Sequence, residues 1–283
     1  MQPKQQRGGS MTGYALPPVV MIHGMWSTGE TLTELKQAFE SEGHTVHAPS
    51  LPLHMPINEH TDDSRNKLAR TGIRAYVDFV LGYIDQLDSA PILVGHSMGG
   101  LIAQLVAEER EIDKLILISS ASPAGINSWT WSALRTFGHN LFKFPLWRTT
   151  TDINLKNIRY GIANSQPPHI QEDLAKKVTL ESGLASTEIG MWFLFKSPPS
   201  RVNFEKIKCS VLVLAGLEDK ITPPTLQRKI HSHFKSPASI RLLEDVCHWT
   251  VGGTYLPRVK AHIFSWLSEQ RVEQNIQEQK QVG

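Results

Sequence analysis

Residues Gly95-His96-Ser97-Met98-Gly99-Gly100 spell G-x-S-x-G, a pattern that can carry nucleophilic chemistry when the backbone around it turns sharply. Here the flanks fit: Pro91–Val94 reads as a strand, and Leu101 to Glu109 reads as a helix. A serine on a strand-to-helix turn sits in strained backbone geometry. The glycines at 95 and 99 remove side chains that would clash there. The helix N-terminus also favours negative charge developing at Ser97. Ser97 is therefore the candidate nucleophile for acyl transfer.

A serine hydroxyl is hardly ionised at neutral pH and needs a base. Of the twelve histidines, position selects one. His248 follows the apolar run Ile240–Leu243 through the short segment Glu244–Cys247 and precedes the last helix. His231, His233 and His262 belong to helices, and His139 and His169 to a different region. The base in turn needs an acid to fix its tautomer and stabilise its cation. Asp219 follows Val211–Ala215 across Gly216-Leu217-Glu218, with Asp245 as its rival. An acyl-transfer site also needs donors for an oxyanion. The backbone N–H groups of Met25, just past His23-Gly24, and Met98 are placed to supply them, while His23 itself reads as structural.

These residues must come from loops at one edge of a sheet. Six short apolar runs supply its strands: Val19–Ile22, Val46–Ala48, Ile92–Val94, Leu115–Ile118, Val211–Ala215 and Ile240–Leu243. Wholly apolar runs suit strands buried on both faces, as in a parallel sheet. Helical patterns alternate with them at 31–41, 70–87, 98–110, 224–234 and 256–270. The expectation is an α/β fold: a doubly wound, mostly parallel sheet of about six strands, with reactive loops at the strands' carboxyl ends.

Residues 125–205 break that rhythm, with helical patterns and turns but no strand-like run. The division expected is a flexible N-terminal extension (1–14), a core (15–125 and 205–270), a helical cap (126–204) and a polar C-terminal tail (271–283). Aromatic residues crowd the cap. Trp129, Trp192 and Phe195 within it, and Trp26 and Trp249 in the core loops, are candidates to line a substrate pocket.

The bulk composition excludes other classes. The 29 Lys and Arg nearly cancel 27 Asp and Glu, with no long basic run, so no nucleic-acid partner is expected. No apolar run approaches the ~20 residues of a membrane span, and the polar residues 1–12 are not expected to act as a signal peptide. Cys209 and Cys247 fall at opposite ends of their strands, too far apart to pair. A cytoplasmic location is expected.

Taken together, His23-Gly24 after a first strand, G-H-S-M-G-G at 95–100, G-L-E-D at 216–219 and C-H-W at 247–249 resemble the α/β-hydrolase superfamily. The similarity spans about residues 17–270, and the order Ser97, Asp219, His248 is the one that superfamily uses. The resemblance implies a serine esterase or lipase that cleaves a small-molecule carboxylic ester through an acyl-serine, without metal or organic cofactor. A lactonase, a carbon–carbon or hydroxynitrile lyase, and a slow-turnover receptor stay open as alternatives. Similar enzymes that open epoxides carry a nucleophilic aspartate where this chain has Ser97. Plant-type hydroxynitrile lyases carry a lysine where it has Trp249.

Overall fold

The structure is a computed structural model that describes residues 16–282. The N-terminal extension expected over 1–14 lies outside the described residues. The strands are β1 (Val19–Ile22), β2 (Val46–His47), β3 (Ile92–His96), β4 (Lys114–Ile118), β5 (Thr150–Thr151), β6 (Glu181–Ser182), β7 (Ser210–Gly216) and β8 (Ala238–Leu243). The helices are α1 (Thr33–Ser41), α2 (Asp62–Ala69), α3 (Ile73–Ile84), α4 (Met98–Ala107), α5 (Trp131–Phe137), α6 (Leu155–Asn157), α7 (Pro168–Lys177), α8 (Gly183–Gly190), α9 (Pro224–His233) and α10 (Leu256–Val282).

Six strands form one sheet in the order β2-β1-β3-β4-β7-β8, and every pairing is parallel. The central strands β1, β3, β4 and β7 are buried on both faces, which is why they read as nearly unbroken apolar runs, while the edge strand β8 is only partly buried. Alternation shows once the two faces are separated. On β4, Leu115 and Leu117 pack with α3, α4 and α9, whereas Ile116 and Ile118 pack with α1 and α10. The reactive loops after β1, β3, β7 and β8 thus emerge at one edge, each fixed by a strand with no freedom to slip.

Residues between β4 and β7 form an insertion of short helices, α5–α8. It is seated on both core layers: Ile158, Ile162 and Leu174 join the α1/α10 side, and Ala185 and Ile189 the α3/α4 side.

Three features differ from the sequence expectation. The insertion contains an antiparallel pair, β5 with β6, registering Thr150 with Ser182 and Thr151 with Glu181. Two residues per strand are too few for any periodic signal. The helix expected over 70–87 begins at Ile73, and α2 precedes it, with the Thr61 side chain accepting a bond from the Ser64 amide as its N-cap. α10 runs on through the residues expected as a separate tail, as far as Val282. That segment is rich in Gln, Glu, Arg and Lys, all good helix formers, and holds no Gly or Pro before Gly283.

Candidate active site

β3 ends at His96, and α4 starts at Met98. Ser97 forms the turn between them at φ 54°, a region costly for a residue with a Cβ. Its amide donates to the Ile118 carbonyl (3.0 Å), and its carbonyl accepts from the Ala121 amide (2.9 Å), so β4 holds the strained residue in place. The two glycines are sterically required. A Cβ at Gly95 would lie 2.3 Å from the Gly99 carbonyl oxygen, and one at Gly99 would lie 2.1 Å from that of Ile22.

The Ser97 hydroxyl is 3.0 Å from His248 Nε2, and His248 Nδ1 is 2.8 Å from Asp219 Oδ2. The proton on Nδ1 is donated to the carboxylate, which leaves Nε2 free to accept from Ser97. Asp219 Oδ1 accepts from the amides of Ile221 and Thr222, both at 2.8 Å. The Thr222 hydroxyl lies 2.9 Å from Asp219 Oδ2 and 3.0 Å from the Ser119 carbonyl. Burial alone would raise the Asp219 carboxyl. The His248 imidazole and these hydrogen bonds outweigh it and hold the group below its usual range, so Asp219 is an anion. Asp245, the rival, is an exposed turn residue at φ 59°, and Glu218 is exposed beside Asp219.

Two residues that sequence reasoning passed over support this chain. Thr222 carries the signal of an Asx-type turn, a hydroxyl residue three positions after an aspartate. His96, inside the G-x-S-x-G pattern, is fully buried, and its Nε2–H donates to the His248 carbonyl (3.0 Å). Burial, followed by the neighbouring His248, pushes His96 down to about 3, so it stays neutral. Its ring also packs edge-on against Trp249 at 5.8 Å. The loop that carries His248 is therefore tied to the turn that carries Ser97.

The segment after β1 is anchored in a similar way. His23 accepts from the Leu51 amide through Nε2 (3.0 Å) and donates through Nδ1 to the Gly24 carbonyl (2.9 Å). Burial and then the charge of His54 lower it to about 3, as suits a structural residue. Trp26 sits at φ 57° and is gripped by the insertion. Its indole N–H donates to Thr151 Oγ1 (3.0 Å), and its carbonyl accepts from the Thr179 amide (2.9 Å). Glu181, two residues after Thr179 and paired with Thr151 across β5 and β6, is fully buried. It accepts from Tyr76 Oη at 2.8 Å, and its other oxygen lies 2.9 Å from His54 Nε2.

A cavity of about 180 Å³ lies between the carboxyl edge of the sheet and the insertion. Ser97, His248, Met25 and Met98 border it, together with Trp26, Trp129 and Trp249. Trp192 and Phe195 do not. α8 ends at Gly190, and the tighter turn that follows directs Met191 to the cavity, while Trp192 packs edge-on against Phe193 at 6.0 Å. The insertion contributes apolar walls that the sequence did not single out, among them Leu134, Phe137, Leu146 and Ile189. No Asp, Glu, Lys or Arg lines the cavity. Among the described residues, no three His, Cys, Asp or Glu side chains are grouped to hold a metal ion.

A family model described as "Alpha/beta hydrolase family" matches residues 19–253. No curated protein matches the chain by sequence. Among solved structures it is similar to a methylesterase from Arabidopsis, at 16% identity and TM-score 0.65, covering 89% of this chain and 99% of that one. It is similar to a pyrethroid hydrolase from Sphingobium faniae JZ-2, at 19% identity and TM-score 0.65, covering 88% and 96%. It is also similar to a monoacylglycerol lipase from Paleococcus ferrophilus, at 22% identity and TM-score 0.66, covering 89% and 95%. At these identities the shared property is the fold.

Proposed function

Because the chain belongs to the alpha/beta hydrolase family, we propose that it hydrolyses carboxylic esters through an acyl-serine intermediate. Ser97 is the nucleophile, His248 the general base and acid, and Asp219 the group that orients and stabilises the imidazole. The observation that carries this reading is the continuous hydrogen-bond chain from Asp219 through His248 to Ser97, at 2.8 and 3.0 Å.

In the first half-reaction Ser97 Oγ attacks the ester carbonyl as its proton passes to His248 Nε2. The carbonyl π electrons move onto oxygen, and the backbone N–H groups of Met25 and Met98 form the oxyanion hole that receives them. The tetrahedral intermediate collapses, the C–O bond to the alcohol breaks, and the imidazolium protonates the departing alkoxide. Water then attacks the acyl-serine with His248 again as base. The carboxylic acid leaves, and Ser97 regains its proton.

The insertion acts as a cap that keeps water from the apolar chamber. The chamber suits an uncharged acyl ester, since no Asp, Glu, Lys or Arg lines it and burial keeps His96 neutral. Trp26, Trp129 and Trp249 contribute to its wall. The names of the three similar structures, a methylesterase, a pyrethroid hydrolase and a lipase, support cleavage of esters over lyase chemistry. So does Trp249, at the position where plant-type hydroxynitrile lyases carry a lysine.

Kinetics of single and paired substitutions test the proposal. Ser97→Ala and His248→Gln should each reduce kcat on 4-nitrophenyl esters by on the order of 10³–10⁶-fold, and the double variant should be scarcely worse than either. Additive losses would show that the two residues do not act as one unit.

A further inference from the structure

The insertion carries most of the large apolar side chains that the described molecule leaves in water. Trp131, Phe142 and Phe144 are 89, 88 and 87% exposed, and Phe193 and Leu194 are more than half exposed. They lie on adjacent short segments of the insertion, with Phe144 against Trp147 at 6.0 Å between ring centres, and exposed side chains of this size mark a place that meets an apolar partner. The patch continues into the cavity. Trp129 and Leu141, 47 and 46% exposed, also form part of the cavity wall. Trp129 packs against Phe193 with ring centres 6.3 Å apart.

Asp152 pairs with His139 and Lys143 on this surface, and the stretches around it are otherwise short of carboxylates. No Asp or Glu occurs from Lys114 to Thr151, nor from Ile189 to Phe204. Arg135, Arg148 and Lys196 are exposed within those two stretches. Aromatic side chains interleaved with Arg and Lys suit the headgroup boundary of a membrane, where rings enter the apolar layer and cations meet anionic lipid. A second copy of the chain fits less well, because a two-fold contact through this patch would set like charges against each other.

We propose that the outer face of the insertion docks the molecule on the surface of an anionic phospholipid bilayer. The cavity then opens at the headgroup boundary, and apolar substrate enters from the lipid. The contact is with the surface: no helix among the described residues is long and apolar enough to cross a membrane. Docking does not depend on the chemistry at Ser97; the delivery of substrate to that residue does.

The test is co-sedimentation of the full chain with vesicles of phosphatidylcholine alone and of phosphatidylcholine mixed with phosphatidylglycerol. The parent protein should bind the mixed vesicles more tightly, and added salt should weaken that binding. The triple variant Trp131→Ser, Phe142→Ser, Phe144→Ser should bind roughly tenfold or more weakly. Its turnover of water-soluble 4-nitrophenyl acetate should match that of the parent. No binding by the parent, or equal binding by the variant, would overturn the proposal. A dimer that the triple substitution dissolves, with no vesicle binding, would also overturn it and give the patch to a second copy. Loss of ester turnover in both proteins alongside intact vesicle binding would remove the esterase reading and leave the docking surface standing.

Discussion

At the scale of single residues, Ser97, His248 and Asp219, the proposed nucleophile, base and orienting acid, stand out in the sequence because each follows a strand in the order this chemistry requires. Their supports could not, since those bonds join residues far apart in the chain. Thr222 is a case in point: its hydroxyl binds both the Asp219 carboxylate and the Ser119 carbonyl. Thr222→Val should lower kcat roughly tenfold or more, the effect of one hydrogen bond to a charged group, with KM little changed. A larger rise in KM than fall in kcat would place Thr222 in substrate binding instead. The buried histidines make the fold sensitive to acid. His23 and His96 are held neutral down to about 3, whereas in the unfolded chain they take up protons near 6.5. The unfolded state therefore binds more protons between those values, and stability is present above pH 6.5 and lost as pH falls toward 3. His54 works in the opposite sense. Burial opposes its charge, but the Glu181 carboxylate outweighs burial and raises it. Its contribution is full below pH 6.5 and is lost as pH rises through the folded value. With His23 and His96, joined by His60, which burial also lowers, against His54 alone, urea unfolding should show lower stability at pH 4.5 than at pH 7, by on the order of a few kcal/mol. Equal or greater stability at pH 4.5 would contradict these assignments.

At the scale of elements, the parallel strands were legible because burial on both faces leaves a continuous apolar run, and the turn at Ser97 because it needs glycine on both sides. Gly95→Ala should cost about 2–4 kcal/mol or prevent folding, since the new Cβ meets backbone rather than a side chain that can move. A thermal unfolding midpoint within a degree or two of the parent would refute that. The β5–β6 pair was not legible. Its two-residue strands have no period, yet Thr151 of β5 and Thr179, just before β6, hold Trp26, and β6 buries Glu181 against His54 and Tyr76. Removing one partner of a buried charged pair costs about 3–5 kcal/mol. Glu181→Gln should therefore destabilise the protein by several degrees. It should also reduce kcat by loosening the segment that holds Met25. Stability lost with kcat unchanged would show that the insertion and the Met25 segment are mechanically independent.

At the scale of the whole molecule, the insertion was visible as an interval without strands, and its helices were expected to stand over the reactive edge. Which aromatic side chains face inward was not readable, because a single tight turn after α8 exchanges Met191 for Trp192 at the cavity. Hydrophobicity was equally uninformative about the outer face, where Trp131 and Phe142 have the composition of core residues and the exposure of surface ones. The cavity makes its own prediction. An ester whose acyl chain ends in a carboxylate or an ammonium should be turned over on the order of 10²-fold less efficiently than its uncharged isostere, since an unpaired charge would be buried there. Comparable kcat/KM values for the two would mean that the substrate does not enter this chamber.

Ester hydrolysis here requires Ser97 to be an activated nucleophile, and the most direct test is labelling of the folded protein with a fluorophosphonate, read by peptide mass spectrometry alongside turnover of 4-nitrophenyl esters from acetyl to decanoyl. A single residue, Ser97, should be phosphonylated, with ester turnover falling in proportion to labelling and no label on the Ser97→Ala protein. Labelling at another residue, or ester turnover that survives complete labelling of Ser97, would contradict that role.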